Sequence, residues 1–135
     1  IKGYREIEDL DRMVTVTRER GMADQTIFTS SDWVIMNRLR RFAPEIQRAY
    51  LAVSSDTLPG AVDRAILDQD AILNVGLEVA LHAPELIEEA LGEGVDVMAW
   101  TLNDERSADR AVELGISRLV TDQVEALLAW RMGIS

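Results

Sequence analysis

The sequence predicts an α/β protein in which parallel strands alternate with helices. Residues 95–122 read as two β-strands joined by one short amphipathic helix, which is the pattern of a βαβ unit. Upstream of this unit, β-rich runs and helical patterns alternate at a similar spacing. Such alternation implies parallel pairing through right-handed crossovers. Side chains at the carboxyl ends of the strands are then the first candidates for a ligand site.

The composition indicates a globular domain and excludes several classes of partner and site. The chain has 135 residues, 47% hydrophobic and 28% charged, which is enough for one domain or part of one. Its net charge of −10 disfavours nucleic acid and anionic membrane surfaces as partners. Without cysteine it has neither a disulfide nor a thiolate metal site. No apolar run reaches the roughly 18 residues of a membrane span, so we expect a soluble protein and favour the cytoplasm as its location.

The first elements are predicted to be a helix and a strand. Apolar residues recur at helical spacing over residues 5–20, and Gly21 is placed to end that helix. A short β-rich run follows at residues 26–30.

Because the chain opens on Ile1 rather than Met, we expect it to have been processed, trimmed or excerpted from a longer protein.

A second helix and a second strand come next. Ser31 or Asp32 is suited to cap a helix that continues until Pro44. Residues 48–53 then read as a strand, and the polar segment at residues 54–60 reads as a loop at its carboxyl end.

The middle of the chain gives weaker signals. A short helix near residues 62–67 and a strand near residues 72–75 are the expected elements. Pro84 begins a clearer helix, which Gly92 or Gly94 ends.

The βαβ unit itself has a strand at residues 95–102, a helix capped by Asn103 or Asp104, and a strand at residues 116–120 that follows Gly115. Beyond it lies one more helical pattern.

The last helix is predicted to start at Asp122, because Glu125 three residues later completes a capping-box pattern.

The periodicity does not choose between a small doubly wound sheet and consecutive units of a (β/α)8 barrel. Since such a barrel usually needs about 250 residues, the chain would supply about half of one.

Candidate site residues cluster at the end of the strand in the βαβ unit. Trp100, Thr101 and Asn103 place an aromatic ring and two hydrogen-bonding side chains there. Trp100 is equally explained as a packing aromatic, and for Asn103 a helix cap is the favoured explanation over a ligand contact. The single histidine, His82, has no neighbouring ligand residue at metal-binding spacing, so a surface position is expected. The paired acidic residues, such as Glu88 and its neighbour, are expected to face solvent.

Three blocks of sequence resemble the glycerophosphodiester phosphodiesterases, a (β/α)8-barrel family that hydrolyses phosphodiesters of glycerol. TSSDWVIMNRLRRFAP at residues 29–44 is similar to the family's Ser-Phe-Asp strand and following helix. AWTLND at residues 99–104 is close to its Trp-Thr-Val-Asn-Asp signature. LGISRLVTDQVEALL at residues 114–128 resembles its last strand and helix. Ser31 departs from the usual Phe, and Gln123 and Val124 depart from the usual Arg-Pro.

The resemblance implies that residues 1–135 are a single partial domain, the C-terminal half of the barrel. It implies metal-assisted hydrolysis, with a divalent cation (Mg or Ca) whose ligands, like the catalytic histidines, belong to a missing N-terminal half. Ile1 and Lys2 resemble the end of the family's Glu-Ile-Lys strand. The expected substrate-binding residues are Lys2, which would contact a phosphate oxygen, Trp100 as a wall of the glycerol pocket, and Asn103. Catalytic residues in this chain are unknown, and it is expected to be inactive alone.

Two other readings remain open. In the enzyme reading, the missing N-terminal half is the chain's partner. The chain could instead be a non-catalytic half-barrel that covers its open edges by pairing with a second copy of itself. It could instead be an unrelated doubly wound binding or signalling domain, although a receiver-type domain would need a lysine after its last strand. The expected partner in the enzyme reading is a small phosphodiester, with no nucleic acid and no membrane span.

Overall fold

A parallel sheet organises the chain, which the computed structural model describes over residues 1–2 and 6–133. Five strands form it in the described part of the chain. They are β1 (Ile27–Ser30), β2 (Gln47–Ala52), β3 (Ala71–Gly76), β4 (Asp96–Trp100) and β5 (Arg118–Leu119).

Helices precede, separate and follow these strands. They are α1 (Ile7–Glu19), α2 (Trp33–Phe42), α3 (Leu58–Leu67), α4 (Leu77–His82), α5 (Pro84–Gly92), α6 (Glu105–Glu113) and α7 (Val124–Arg131). The predicted alternation of strands and helices is therefore confirmed. None of the described helices has both the length and the apolar character needed to cross a bilayer.

The strands follow one another across the sheet in chain order, and each pairs in parallel with the next. A doubly wound sheet would show a reversal of strand order, and this sheet has none within the described residues. Consecutive right-handed crossovers in one direction place the connecting helices on the same face. The winding is therefore that of a (β/α) barrel and excludes the doubly wound alternative.

The two faces of the sheet differ in what they contact. Tyr50 faces the helices, because its ring lies 6.0 Å from the ring of Trp33 on α2 and its hydroxyl donates to Asp68 after α3. Neighbouring residues along a strand point to opposite sides. The opposite side is here called the inner face. Its members include Thr29, Ala49, Leu51, Asn74, Gly76, Met98 and Trp100.

A buried ion pair joins β2 to the end of α3 on the helix side. Arg48 donates to both carboxylate oxygens of Asp68, at 2.7 and 2.9 Å, and both side chains are about 95% buried. Tyr50 donates to the same carboxylate at 2.8 Å. Burial alone would raise the pKa of Asp68, but the hydrogen bonds from Arg48 and Tyr50 outweigh it and lower that pKa.

Several boundaries differ from the sequence prediction. Helix α3 begins at Leu58, inside the predicted loop, because Thr57 and Ser54 close the turn early and a proline fits the first helical turn. Helix α4 had no predicted counterpart, and the predicted strand at residues 116–120 contains only two residues with strand pairing. The predicted first helix starts at residue 5, which lies outside the described residues.

Three of the predicted caps are confirmed, and the predicted capping box is wrong. Gly21 has a φ of 63° and ends α1, Asp32 accepts from the Val34 N–H at 2.9 Å, and Asp104 caps α6. The capping box at Asp122 does not form. Helix α7 instead begins after Gln123, whose N–H donates to the hydroxyl of Thr121. The backbone N–H of Asp122 donates to the side chain of Asn103.

Candidate functional site

A cavity opens where β3 and β4 reach their carboxyl ends. It measures about 310 Å³ and is lined by residues 76–79, Trp100, Thr101 and Ser107. The partly buried indole of Trp100 forms one wall, and the Trp100–Thr101 peptide bond is cis. The end of a parallel strand is where (β/α) folds bind ligands, so this cavity is the candidate site.

Gly76 gives the indole the space that it occupies. A Cβ at position 76 would lie 3.3 Å from Cη2 of Trp100, which is tighter than ordinary van der Waals contact, and 3.5 Å from Cζ2. The glycine and the tryptophan are in register on neighbouring strands. Their pairing therefore fixes how closely the ring approaches β3.

Asn103 joins two loops at the mouth of the sheet. Its Oδ1 accepts from the backbone N–H of Asp122 at 2.9 Å and from the hydroxyl of Thr121 at 3.2 Å. Asp104, and not Asn103, accepts from the Ser107 N–H and caps α6. Of the two cap candidates, Asn103 is thus the wrong one, because its side chain is engaged by the loop after β5.

Lys2 lies at the far edge of the sheet. The carbonyl oxygen of Ile1 accepts from the Ser30 hydroxyl at 2.9 Å, and the Ile1 amino group donates to the Thr29 carbonyl oxygen. Lys2 follows, exposed, beside the end of β1. Trp100 ends β4, and β2 and β3 lie between that strand and β1 in the sheet. The structure therefore brings Trp100 and Asn103 to the end of β4 and places Lys2 beside β1.

Asn74 is a polar residue of the inner face that the sequence reasoning missed. It is 8% exposed, and its Nδ2 donates to the Thr29 hydroxyl at 3.1 Å across the intervening strand. Among the described residues, its Oδ1 and the Nε1 of Trp100 are buried without a hydrogen-bond partner. Such orphaned atoms are rare in folded proteins and mark positions where a further contact is expected.

The remaining titratable candidates lie apart from the cavity or outside any ligand cluster. His82 is exposed at the end of α4, and Glu88 and Glu89 of α5 are exposed, as predicted. Within residues 1–2 and 6–133, no three His, Cys, Asp or Glu side chains converge in a way that could hold a metal ion. The described residues thus do not fit a divalent cation.

The sequence matches one known family over most of its length. Residues 3–126 match the model of the glycerophosphoryl diester phosphodiesterase family. The chain belongs to this family. The resemblance inferred from the three sequence blocks is confirmed. No curated protein sequence matches the chain.

Solved structures of similar fold bear related names. A protein from Silicibacter pomeroyi DSS-3, provisionally designated a glycerophosphoryl diester phosphodiesterase, is 26% identical with a TM-score of 0.72, covering 93% of this chain and 45% of that one. An Oleispira antarctica phosphodiesterase, in complex with its product sn-glycerol-3-phosphate, is 18% identical with a TM-score of 0.77, covering 91% and 49%. A glycerophosphodiester phosphodiesterase from Thermotoga maritima is 22% identical with a TM-score of 0.71, covering 92% and 54%. The chain thus spans about half the length of these phosphodiesterase-family structures.

Proposed function

We propose that this chain is the C-terminal part of a glycerophosphodiester phosphodiesterase barrel. The reaction is hydrolysis of a glycerophosphodiester to glycerol phosphate and an alcohol. The observation that carries the proposal is the cavity beside Trp100, at a strand end inside the region matched by the family model. The complex of the Oleispira antarctica protein with sn-glycerol-3-phosphate supports the same class of small phosphodiester substrate.

The chemistry defines what the chain must contribute. Water attacks phosphorus, the bond from phosphorus to the alcohol oxygen breaks, and the departing alkoxide takes a proton. In this proposal Trp100 forms a wall of the glycerol pocket and Lys2 contacts a phosphate oxygen as a point charge. Asn103 contributes by fixing the loop that carries Asp122, and its direct contact with substrate stays a prediction.

The groups that move protons and hold a metal are proposed to lie outside this chain. Members of the family generally depend on a metal, and the described residues offer no cluster that would hold one. The chain also has a single histidine, His82, which is exposed at the end of α4 and is not among the residues that line the cavity. We therefore propose that a preceding N-terminal half supplies these groups, and that the chain alone is inactive. The Mg or Ca preference and the cytoplasmic location stay predictions.

The test compares two polypeptides in one assay. The 135-residue chain and a version extended upstream in its coding sequence are incubated with glycerophosphocholine and Mg²⁺ or Ca²⁺, and released choline is measured. Turnover by the extended chain alone is the expected result. Robust turnover by the short chain would refute the dependence on upstream groups, and an in-frame stop codon just before Ile1 would remove the proposed N-terminal half.

A non-catalytic half-barrel that self-associates is the second candidate. One observation favours it: apolar side chains are exposed beside the short edge strand β5. They are Val112, Val124 and Leu128, each at least 50% exposed, which line a groove of about 850 Å³. Sedimentation at micromolar concentration is expected to show a dimer if this candidate is right, and a stable monomer contradicts it.

A further inference from the structure

Thr29 and Asn74 form a hydrogen bond on the inner face of the sheet. The Nδ2 of Asn74 donates to the Thr29 hydroxyl at 3.1 Å, and so reaches from β3 across β2 to β1. Because Nδ2 and Oδ1 lie on opposite sides of the planar amide group, this bond directs Oδ1 away from β1. The strand on the other side of β3 is β4, which ends at Trp100. The Thr29 hydroxyl therefore presents the amide oxygen of Asn74 to the side of the sheet that carries Trp100.

Trp100 shares this region of the inner face with Asn74. Asn74 pairs with Met98 and Gly76 pairs with Trp100, so Asn74 and Trp100 are diagonal neighbours on adjacent strands. The spacing between strands and the rise along them separate the Cα atoms of such neighbours by about 8 Å. Gly76 lets the indole lie against β3, because a Cβ there would be 3.3 Å from Cη2 of the ring. The indole ring therefore lies one residue pair above the amide of Asn74.

Each of the two side chains has one buried polar atom without a partner. In the part of the chain that the structure describes, neither Oδ1 of Asn74 nor Nε1 of Trp100 forms a hydrogen bond. Asn74 is 8% exposed, so its amide has little access to bulk solvent. A buried donor or acceptor carries a desolvation penalty that a partner offsets. Since one atom is a donor and the other an acceptor, a single bridging group is able to satisfy both.

The chemistry of the two atoms defines that bridging group. It must accept a hydrogen bond from an indole N–H and donate one to an amide oxygen. A carboxylate only accepts and an ammonium only donates, whereas a hydroxyl oxygen does both. The smallest group of this kind is water, and buried waters typically make two to four hydrogen bonds to polar groups of the protein. The reversed amide of Asn74 is less suitable, because it would present two N–H donors to the bridging group.

We propose that Thr29, Asn74 and Trp100 form one hydrogen-bonded network, in which a buried water links Oδ1 of Asn74 to Nε1 of Trp100. The network fixes the plane of the indole against β3, and Asn74 is its central positioning residue. Its consequence for substrate rests on the proposed function, in which Trp100 is a wall of the glycerol pocket. Asn74 lies two residues before the end of β3, so the water supports this wall from the interior of the sheet and does not occupy the pocket.

The first test follows the indole N–H of Trp100 in the ¹⁵N-labelled 135-residue chain. The chain has three tryptophans, and the Trp100→Phe variant identifies the resonance of Trp100. A nuclear Overhauser cross-peak between this N–H and a bound water is expected. Asn74→Leu should abolish the cross-peak and accelerate exchange of the N–H with solvent about 5-fold, which corresponds to one ordinary hydrogen bond. Asn37→Leu, the same change on the exposed face of α2, should alter neither.

A second pair of variants tests the network without changing Asn74. Thr29→Val removes the hydroxyl that orients the amide, so exchange of the Trp100 N–H should accelerate about 2-fold while Oδ1 is still present. Thr29→Ser keeps the hydroxyl and should preserve the parent rate. This pair is decisive if Asn74→Leu fails to fold. Equal exchange in Thr29→Val and Thr29→Ser, or a Trp100 N–H without a bound water, would overturn the proposal.

The readout on substrate uses the upstream-extended chain with glycerophosphocholine and Mg²⁺. Because Trp100 contributes to binding and not to proton transfer in the proposed function, Thr29→Val should raise KM about 3-fold and leave kcat within about 2-fold. Thr29→Ser should restore the parent KM. A merely structural loss of folded protein would instead lower the apparent kcat and leave KM unchanged, and that result would reject the positioning role.

The outcomes separate this proposal from the proposed function. A water cross-peak that depends on Asn74, with no hydrolysis by the extended chain, retains the network and rejects the phosphodiesterase. Hydrolysis by the extended chain, with a Trp100 N–H that does not respond to Asn74→Leu, retains the phosphodiesterase and rejects the network.

Discussion

The side chain of Asn103 accepts a hydrogen bond from the backbone N–H of Asp122 at 2.9 Å, and so joins the loops that follow β4 and β5. These residues are 19 positions apart in the chain. Because both loops are exposed, the bond orders the mouth of the sheet more than it stabilises the whole fold.

Asn103→Ala is expected to loosen this mouth. The Asp122 N–H loses its acceptor, so its hydrogen exchange should accelerate about 5-fold, which corresponds to one ordinary hydrogen bond. Global stability should change by less than about 1 kcal/mol, because the site is exposed. Asn37→Ala serves as the control, since Asn37 is exposed on α2 and is far from this loop in the sequence. Unchanged exchange at Asp122 would contradict the assignment.

Gly76→Ala is expected to disturb the packing of Trp100, whereas Gly60→Ala is expected to stabilise the fold. At position 76 the new Cβ would lie 3.3 Å from Trp100, so the ring must shift, and the Trp100 indole resonance should move with it. At position 60, inside α3, nothing lies within 4 Å, so alanine should raise stability by about 0.5–1 kcal/mol. Thermal unfolding and the indole spectrum measure both. A Gly76→Ala protein with an unmoved Trp100 resonance would show that the ring is not held against β3.

Asp68→Ala is expected to cost about 3–5 kcal/mol in the free energy of unfolding. The change leaves the Arg48 guanidinium buried without its carboxylate and removes the acceptor of the Tyr50 hydroxyl. Asp63→Ala, an exposed position on the same helix, should change the free energy by less than about 0.5 kcal/mol. Urea unfolding of both variants distinguishes them, and similar losses in the two would rule out a special role for the buried pair.

The Asp68 carboxylate should also influence how the free energy of unfolding depends on pH in the acid range. The folded pKa of Asp68 lies below its unfolded value of about 3.9, so its contribution is present above about pH 4. That contribution is lost as the pH falls through the folded pKa. Urea unfolding between pH 6 and pH 3 should therefore show a steeper loss of unfolding free energy in the parent chain than in Asp68→Asn. Parallel curves would indicate that other carboxylates carry the acid dependence.

Much of the fold follows from local patterns. The strand and helix of the βαβ unit are evident because β4 alternates in burial and α6 keeps a small apolar stripe at Ala108 and Ala111. The cap at Asp32 is equally local, since its partners lie two and three residues away. The strand order needed the structure, because periodicity carries no information on which strands are neighbours.

The site depended on contacts that no local pattern reports. The choice between Asn103 and Asp104 as the cap was decided by Asp122, which lies in a different loop. Asn74 sits in a strand that is buried on both faces, so a single polar residue in an apolar run gave no sign of its contact with Thr29. The place of Trp100 at the end of a strand was predictable from its motif. The space that Gly76 leaves for its ring is evident only once β3 and β4 are paired.

The brevity of β5 limits backbone pairing at that edge of the sheet. Parallel sheets with two open edges are able to polymerise head to tail, since the last strand of one molecule has the direction needed to extend the first strand of the next. A terminal strand of two residues offers too few backbone groups to seed such a fibre. A contact between copies at this edge would therefore depend on side-chain packing rather than on backbone pairing.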